Sequence, residues 1–507
     1  MTRRDEDGLQ YAVTGAEARA LDAYAIDQLG MPGRMLMEMA GQGAAQAIRQ
    51  RTGGVPSRAV VLCGPGNNGG DGYVVARALR DARWDVVCLA LGGPGRLSGD
   101  AAVNFALYRD LDGATHDCTE LSEEAIKDRL SNSPVIVDGL FGTGLSRPLK
   151  GQAAALVSAA SQSRGSYRVA LDIPSGLCAS RGTVLGQAFQ ADVTMTFGAI
   201  KSGLCQFPGA EFVGELVSIP IGLPSQALAE VARSVGVLDA KAISKRLPKR
   251  SKASHKGTHG RVAVVGGFGA TEGAAVLCGV AALRAGAGYA TWFADAETGS
   301  VLRPPELLKK TWGELNSSDA LVVGPGLGQS TESKRALKRG LESPARVCVL
   351  DADALNLMAP ASATTWPQSA VLTPHPGEAA RLLGITTAAV QGDRLAALAA
   401  LVKATGATVV LKGAGTLIGA PGRRTMILPG GVPALAAAGT GDVLAGVIAA
   451  FAAQGLSAYD ACLCATWVHA GAGLQLGLGH ADRGVLAGEL SDAIPAQVDA
   501  LVQGWTA

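Results

Sequence analysis

Glycine, asparagine and aspartate are concentrated in one short segment of the N-terminal half. The sequence GPGNNGGDG, residues 64–72, follows an apolar run and precedes a helical pattern. A glycine turn in this position exposes backbone N–H groups beside a helix N-terminus, an arrangement that suits phosphate. Asn67 and Asn68 add amide groups, whereas Asp71 would repel phosphate and is expected to bind a hydroxyl group or cap the helix.

Known nucleotide motifs match this loop only in part. The residues fit the pattern G-x-G-x-x-G, but the next apolar run, VVCLALGG, ends without the acidic residue that holds the ribose of NAD. The loop also lacks the lysine of a P-loop. The sequence therefore disfavours an ordinary NAD dehydrogenase and a P-loop NTPase.

Two further strand ends carry polar residues. VDGLFGTGLSRP places Asp138 at the end of one predicted strand, and LDIPSG places Asp172 and Ser175 at the end of another. In an open parallel sheet, the carboxyl ends of the strands form the ligand crevice. Asn68, Asp138 and Ser175 offer only oxygen ligands with a single carboxylate, which suits an alkali ion better than zinc. Each aspartate taken alone is equally well explained as a turn or cap residue.

The strongest motif lies in the C-terminal half, in AAAGTGDVLAGVIAAF. Gly439, Thr440 and Gly441 begin a predicted helix, with Asp442 in its first turn. N–H groups there would form an anion hole, and Asp442 would take the proton from a hydroxyl that attacks a phosphoryl group. A helix cap is the alternative role for Asp442.

Two other C-terminal segments carry candidate residues. LKGAGT places Lys412 at a strand end, where it would neutralise nucleotide phosphate or simply be solvated. LTPHPGE holds His375 between two prolines, as a ligand contact or as a structural loop residue.

Composition excludes several classes of protein. A chain of 507 residues is expected to form about two domains. With 45 basic and 43 acidic residues and 4% aromatic residues, a nucleic-acid binder is disfavoured. Nine scattered cysteines without a C-x-x-C pair indicate reduced thiols in the cytoplasm. The N-terminus has no signal-peptide pattern, and the longest apolar stretch, 443–458, is expected to be a buried helix and not a membrane span.

Apolar strands alternate with helical segments in both halves of the chain, which favours parallel sheets covered by helices. The alternation stops near residue 224, a basic segment follows, and a new series begins near residue 260. The predicted organisation is α/β in two domains, 1–224 and 250–507, with a linker at 225–249.

In combination, the N-terminal motifs resemble the NAD(P)H-hydrate epimerase domain, which has a Rossmann-like doubly wound sheet. The motifs LMEMAG, GPGNNGGDG, VDGLFGTGLSRP, LDIPSG, FGAIKSGL and FPGAEFVGEL occur in the family's order over residues 10–224. The resemblance implies that Asp172 is the acid/base and that Asn68, Asp138 and Ser175 bind K⁺. Met39 and Cys178 replace the family's usual Asn and Asp. The implied substrate contacts are Asn67, Asn68, Gly69, Gly70, Asp71, Gly142, Thr143, Gly144, Leu145, Ser146, Arg147, Pro148 and Asp172.

The second half resembles the NAD(P)H-hydrate dehydratase branch of the ribokinase-like superfamily. GPGLG, LDADALN, LTPHPGE, LKGAGT and GTGDVLAG carry the resemblance from about residue 250 to the end, and Ala438 replaces a glycine found in many relatives. The resemblance implies that the hydrate contacts Ala275, Gly326, His375 and Asp442. The implied nucleotide contacts are Lys412, Gly413, Ala414, Gly415, Thr416 and Gly441.

Together the two resemblances imply repair of hydrated NADH and NADPH. The N-terminal domain would interconvert the R and S epimers, and the C-terminal domain would dehydrate the S form with ADP and Mg²⁺. ADP is expected in preference to ATP, and a homo-oligomer is expected, without a nucleic-acid or membrane partner. The alternatives are a vitamin or sugar kinase with a nucleotide-binding N-terminal module, and an enzyme whose N-terminal domain is a scaffold.

Overall fold

Two compact units make up the molecule. The computed structural model describes residues 10–119, 121–131, 133–231, 234–295, 302–363 and 365–504. The division between the units falls between Gly236 and Val237.

The first unit alternates strands and helices. Its strands are β1 (Gln10–Val13), β2 (Arg58–Cys63), β3 (Asp85–Ala90), β4 (Ala114–Asp117), β5 (Val135–Gly139), β6 (Tyr167–Leu171), β7 (Val193–Phe197), β8 (Ile200–Lys201) and β9 (Glu215–Ile219). Its helices are α1 (Gly15–Ala23), α2 (Gly33–Arg51), α3 (Asn67–Asp81), α4 (Gly99–Asp110), α5 (Glu123–Leu130), α6 (Gly151–Ser161) and α7 (Ser225–Val231). Thr14 and Glu17 form a capping box at the start of α1, and a π-helix, Tyr24–Gln28, follows.

Seven of these strands form one parallel sheet in the order β4-β3-β2-β5-β6-β7-β9. The strand order reverses between β2 and β5, which is where a doubly wound sheet opens its ligand crevice. Helices α2, α3 and α4 pack on one face and α5 and α6 on the other, each over a buried apolar cluster. The predicted Rossmann-like doubly wound fold is confirmed.

The second unit is a larger α/β layer structure. Its strands are β10 (Val235–Val237, at the division), β11 (Arg261–Val265), β12 (Tyr289–Ala294), β13 (Leu307–Thr311), β14 (Ala320–Val323), β15 (Val347–Leu350), β16 (Ala370–Leu372), β17 (Thr408–Leu411), β18 (Leu417–Gly419) and β19 (Thr425–Ile427). Its helices are α8 (Ala240–Ser244), α9 (Glu272–Arg284), α10 (Thr331–Glu342), α11 (Asp353–Leu357), α12 (Pro376–Leu383), α13 (Thr387–Gly392), α14 (Arg394–Thr405), α15 (Thr440–Ala453), α16 (Ala458–His480) and α17 (Ala487–Val502).

Strands β13-β12-β11-β14-β15-β16-β17 are parallel, and the antiparallel strands β18 and β19 extend the sheet. Val322 faces the cluster that α9, α15, α16 and α17 bury. A methyl group placed on Gly340 of α10 would lie 2.9 Å from Val323, whose side chain points to the opposite face. Helices therefore cover both faces, as predicted for the ribokinase-like domain.

The segment predicted as a linker contains regular structure. Helix α7 packs Ala227 and Leu228 into a small cluster of the first unit. Leu238 and Ile243 are buried in the core of the second unit. The apolar residues of 225–249 are too few and too scattered among basic ones to show a strand or helix period in the sequence, although the structure uses them for packing.

Helix α15 is the buried apolar helix that the sequence predicted, since every residue from Val443 to Ala453 is buried. Helix α16, which the sequence analysis did not single out, is long and apolar enough to cross a membrane by length and composition. However, 67% of its most apolar window is buried inside the structure, as in the core helix of a folded domain.

Candidate functional sites

A cavity of about 700 Å³ opens in the first unit where the strand order reverses. Its polar walls are formed by the start of α3, the loop after β5 and the residue after β6. Apolar residues of α1 and α2 form a further, apolar wall. Among the predicted substrate contacts, those that line it are Asn67, Asn68, Asp71, Gly142, Thr143, Gly144, Leu145, Ser146, Arg147 and Asp172.

Three predicted contacts do not line this cavity. A methyl group on Gly69 would lie 1.9 Å from the Gly64 carbonyl oxygen, so this glycine lets α3 approach its own loop. A methyl group on Gly70 would lie 2.6 Å from Met37 Sδ, so this glycine makes room for the Met37 side chain. Pro148 lies just beyond the cavity-lining loop, beside Gly186.

Asp172 is held in a strained backbone conformation directly after β6. Its φ is +63°, a region that residues other than glycine rarely adopt and that is often found at functional sites. Its Oδ1 atom accepts hydrogen bonds from the Phe197 N–H, at 3.1 Å, and from the Lys201 ammonium. Oδ2 faces the loop after β5, since a methyl group on Gly142 would lie 3.5 Å from it. One oxygen is therefore fixed by the protein and the other is left for a ligand.

Lys201 completes this arrangement, and the sequence analysis assigned it no role. Its ammonium group is buried and also donates to the Phe197 carbonyl oxygen, at 2.7 Å, and to Thr196 Oγ1, at 3.3 Å. The ion pair fixes the position of the Asp172 carboxyl group in the cavity. The available signal was the lysine of FGAIKSGL, between an apolar strand and a glycine turn.

Two more carboxyl groups line the same cavity. Burial raises the pKa of Asp71 well above its usual range, and the negative charges of Asp172 and Asp22 add to this effect. Burial also raises the pKa of Asp22 to about 6, although Lys201 partly opposes the rise. The cavity therefore holds carboxyl groups with different protonation preferences.

The residues predicted to bind K⁺ lie at neighbouring strand ends. Asp138 and Ser175 are fully buried and bonded to each other, with Ser175 Oγ 2.7 Å from Asp138 Oδ1 and Ser175 N 2.7 Å from Oδ2. Burial raises the pKa of Asp138 to about 6, against these hydrogen bonds. The Asn68 amide is buried, and neither its oxygen nor its nitrogen has a hydrogen-bond partner among the described residues. An unpaired buried amide oxygen and a buried carboxylate fit a bound cation.

In the second unit, the GTGD motif forms the N-terminus of α15 as predicted. Gly439 is the N-cap, with φ +88°. The Thr440 hydroxyl donates to the carbonyl oxygens of Leu435 and Ala437, at 2.9 and 3.0 Å. The buried His469 of α16 donates from Nε2 to the Thr440 carbonyl oxygen, at 2.8 Å. The turn that presents the helix N–H groups is thus anchored from two sides.

Asp442 lies in the first turn of α15 beside other charged groups. A methyl group on Gly441 would lie 3.3 Å from Lys412 Nζ and 3.9 Å from Asp351 Oδ2, so these side chains approach the same helix end. Burial raises the pKa of Asp442 to about 7, and the nearby Asp351 carboxylate adds to the rise while Lys412 opposes it. A carboxyl group with a pKa near neutral pH is suited to general-base chemistry.

Lys412 is paired with carboxylates and is not a simple solvated lysine. Its Nζ atom lies 2.8 Å from Asp351 Oδ1 and 3.9 Å from Glu378 Oε2. Asp351 and Glu378 were not predicted as site residues, although they stand in the quoted segments LDADALN and LTPHPGE. Burial raises the pKa of Glu378 to about 7, with Lys412 opposing it.

His375 caps helix α12. Its Nδ1 accepts hydrogen bonds from the N–H groups of Gly377, at 3.0 Å, and Glu378, at 3.4 Å. Burial lowers the pKa of His375, and the charge of Lys412 acts in the same direction. About half of the His375 side chain is exposed, and its Nε2 lies 3.4 Å from Glu378 Oε1.

The remaining predicted contacts are placed as follows. Ala275 is fully buried. Gly326 is a turn glycine, and a methyl group added to it would lie 2.5 Å from the Thr271 carbonyl oxygen. In the predicted nucleotide loop, Gly413 and Ala414 are exposed and Gly415 and Thr416 are buried. The Thr416 hydroxyl closes the loop on the Gly413 carbonyl oxygen at 2.7 Å.

Two protein-family models match the chain. One is described as the YjeF-related protein N-terminus and matches residues 33–203. The other is described as NAD(P)H-hydrate dehydratase and matches residues 262–496. The structure of an ADP/ATP-dependent NAD(P)H-hydrate dehydratase from Bacillus subtilis, co-crystallised with ATP and Mg²⁺, is 29% identical and covers 52% of this chain and 98% of its own, with a TM-score of 0.47.

Full-length relatives are similar over both units. The bifunctional NAD(P)H-hydrate repair enzyme Nnr of Moorella thermoacetica is 36% identical, over 96% of this chain and 96% of its own. The Escherichia coli K12 protein of the same name is 38% identical, over 94% of this chain and 91% of its own. This chain therefore belongs to the family of bifunctional NAD(P)H-hydrate repair enzymes.

Proposed function

We propose that this protein returns hydrated NADH and NADPH to their active forms. The N-terminal unit interconverts the R and S epimers of the hydrate. The C-terminal unit dehydrates the S form at the expense of ADP and yields NAD(P)H, AMP and phosphate. The observation that carries this proposal is the group of charged side chains at the N-terminus of α15, where Asp442 lies in the first turn and Lys412 and Asp351 approach Gly441.

The C-terminal chemistry follows from the poor leaving ability of hydroxide. Asp442 takes the proton of the hydrate's hydroxyl as its oxygen attacks the terminal phosphoryl group of ADP. The helix N–H groups and Lys412 stabilise the charge that develops on the phosphoryl oxygens. Phosphate then leaves as the lone pair of the ring nitrogen forms a C=N bond. Loss of a proton from the adjacent carbon to solvent forms the carbon–carbon double bond and returns the electron pair to nitrogen.

The predicted site residues of the C-terminal unit would bind the two substrates. Lys412–Thr416 and Gly441 would hold the nucleotide, which arrives with Mg²⁺ on its phosphates as a co-substrate. Ala275, Gly326 and His375 would contact the hydrate. ADP is proposed as the phosphoryl donor in preference to ATP.

In the N-terminal unit, Asp172 would act as the acid/base at the cavity, with one oxygen held by Lys201 and the other free. Residues Asn67–Asp71 at the start of α3 and the loop Gly142–Pro148 would bind the substrate. K⁺ held by Asn68, Asp138 and Ser175 would supply a fixed positive charge for the phosphate groups. We place the two activities in residues 1–224 and 250–507.

The protein is further proposed to work in the cytoplasm as a homo-oligomer. All nine cysteines are free thiols in the structure, which fits a reducing compartment.

Product analysis tests the proposed function. The purified protein is incubated with the S hydrate of NADPH, ADP and Mg²⁺, and both inorganic phosphate and the reduced nicotinamide are measured. We expect one phosphate for each NADPH recovered. Formation of a stable phosphoester with a vitamin or sugar, without recovery of NADPH, would favour the kinase alternative.

A further inference from the structure

Asp71 is a buried carboxyl group to which the structure gives no bonding partner. It lies in the second turn of α3, its side chain lines the cavity of the first unit, and it is only 9% exposed. It accepts no hydrogen bond from any residue that the structure describes. A carboxylate buried to this degree loses much of its hydration, whereas a protonated carboxyl group costs far less to bury.

Charged groups reach the cavity from every side. The residues that carry them are Arg19 and Asp22 of α1, Asp100 of α4, Arg147 of the loop after β5, Asp172 after β6 and Lys201 of β8. Asp172 and Asp22 raise the pKa of Asp71 further, and Lys201 lowers it. Burial is the largest of these effects, and it favours the protonated form of Asp71 over the carboxylate.

Asp172 stands in the opposite situation within the same cavity. Its Oδ1 is ion-paired with Lys201 and accepts a hydrogen bond from the Phe197 N–H, so Asp172 has a buried cationic partner of its own. Of these two carboxyl groups in one cavity, one is ion-paired with a buried lysine and the other is buried without such a pair, an arrangement that suits a base and an acid. They also lie on different elements, α3 and the end of β6, so that they can approach a ligand from two directions.

We propose that Asp71 is the proton donor that works against the Asp172 base during epimerisation. This assignment rests on the proposed function of the N-terminal unit and names a second catalytic residue for it.

The step balances as follows. The hydroxyl-bearing carbon of the hydrate is bonded to the ring nitrogen, so the nitrogen lone pair can form a C=N bond while the C–O bond breaks. Asp71 gives its proton to the departing oxygen, which leaves as water, and becomes a carboxylate. A second water attacks the opposite face of the carbon as Asp172 takes its proton, and the electron pair returns to nitrogen. The configuration is inverted, and the reverse reaction uses the two carboxyl groups in exchanged roles.

The variant Asp71→Asn tests the assignment, because it keeps the shape of the side chain and removes the acid. We expect kcat for epimerisation to fall on the order of 10²–10⁴-fold, with KM little changed. Asp71→Glu should recover at least about tenfold of the loss, because it restores an acid. Asp81→Asn, on the exposed far end of α3, is the matched control and should behave as the wild type. A kcat of Asp71→Asn within about threefold of wild type, or a loss confined to KM, overturns the assignment.

An isotope experiment tests the bond-breaking step itself. Epimerisation by the wild type in H₂¹⁸O, corrected for spontaneous exchange, should place solvent oxygen on the inverted carbon. Retention of the original oxygen means that the C–O bond stays intact and that no acid is needed there, which overturns the role of Asp71. If the wild type itself does not exceed the spontaneous rate of epimerisation, the proposed function of the unit fails, an outcome distinct from the failure of Asp71→Asn alone.

Discussion

At the scale of single residues, Asp442 is the proposed base of the dehydratase. Asp442→Asn keeps the size of the side chain and cannot accept the hydroxyl proton, so dehydration should fall by at least about 10²-fold. Epimerisation by the same protein should be unchanged, because Asp172 lies in the other unit. A coupled assay of phosphate release and of epimer ratio measures both. Loss of both activities in a folded variant would contradict the assignment.

The pH dependence of dehydration is a second test at this scale. Asp442 must be ionised to accept a proton, and its pKa is raised to about 7 by burial, by Asp351, Asp353 and Glu378, against Lys412. The value of kcat/KM should therefore fall as the pH drops through about 7. In Glu378→Gln one negative charge is removed, so the inflection should persist and move to lower pH. Disappearance of the inflection in that variant would assign it to Glu378.

At the scale of elements, helix α15 positions Asp442 by packing tightly on α9. A methyl group on Gly446 would lie 2.1 Å from the Cys278 carbonyl oxygen, so Gly446→Ala should force the helices apart and destabilise the protein by about 1–3 kcal/mol. Gly273→Ala in α9 is the matched control, since nothing lies within 4 Å of the added methyl group. It should be neutral or stabilising by up to about 1 kcal/mol. Equal unfolding midpoints for the two variants in chemical denaturation would contradict the packing argument.

The strands and helices that carry the two candidate sites could be predicted where an apolar run in the sequence meets glycine or aspartate. The strand ends at Asp138 and Asp172 and the helix start at Gly439 are local signals of this kind, and the structure places them so. Lys201 and Glu378 were not assigned, because their roles come from partners distant in sequence, such as Lys201 with Asp172 and Lys412 with Glu378. The packing of residues 225–249 was not predicted for the same reason. The few apolar residues of this segment pack against residues that are distant in the sequence.

At the scale of the whole molecule, the chain carries two candidate sites in two units, and each site contains an ion pair between an aspartate and a lysine. Asp172 pairs with Lys201 in the first unit, and Lys412 pairs with Asp351 beside Asp442 in the second. The two candidate sites share no residue, so we expect them to act as independent catalysts joined by one chain. The S epimer is consumed by one site and replenished by the other, and both epimers are thereby recovered.

Complementation between two single variants tests directly whether the two sites act as independent catalysts. A mixture of both NADPH-hydrate epimers is incubated with ADP, Mg²⁺ and K⁺, and recovery of NADPH absorbance is followed with spontaneous epimerisation subtracted. We predict full recovery with the wild type, recovery of the S fraction alone with Asp172→Asn, and none with Asp442→Asn. An equimolar mixture of the two variants should again recover both epimers. If the mixture recovers no more than Asp172→Asn alone, the two sites do not act as independent catalysts and the account is contradicted.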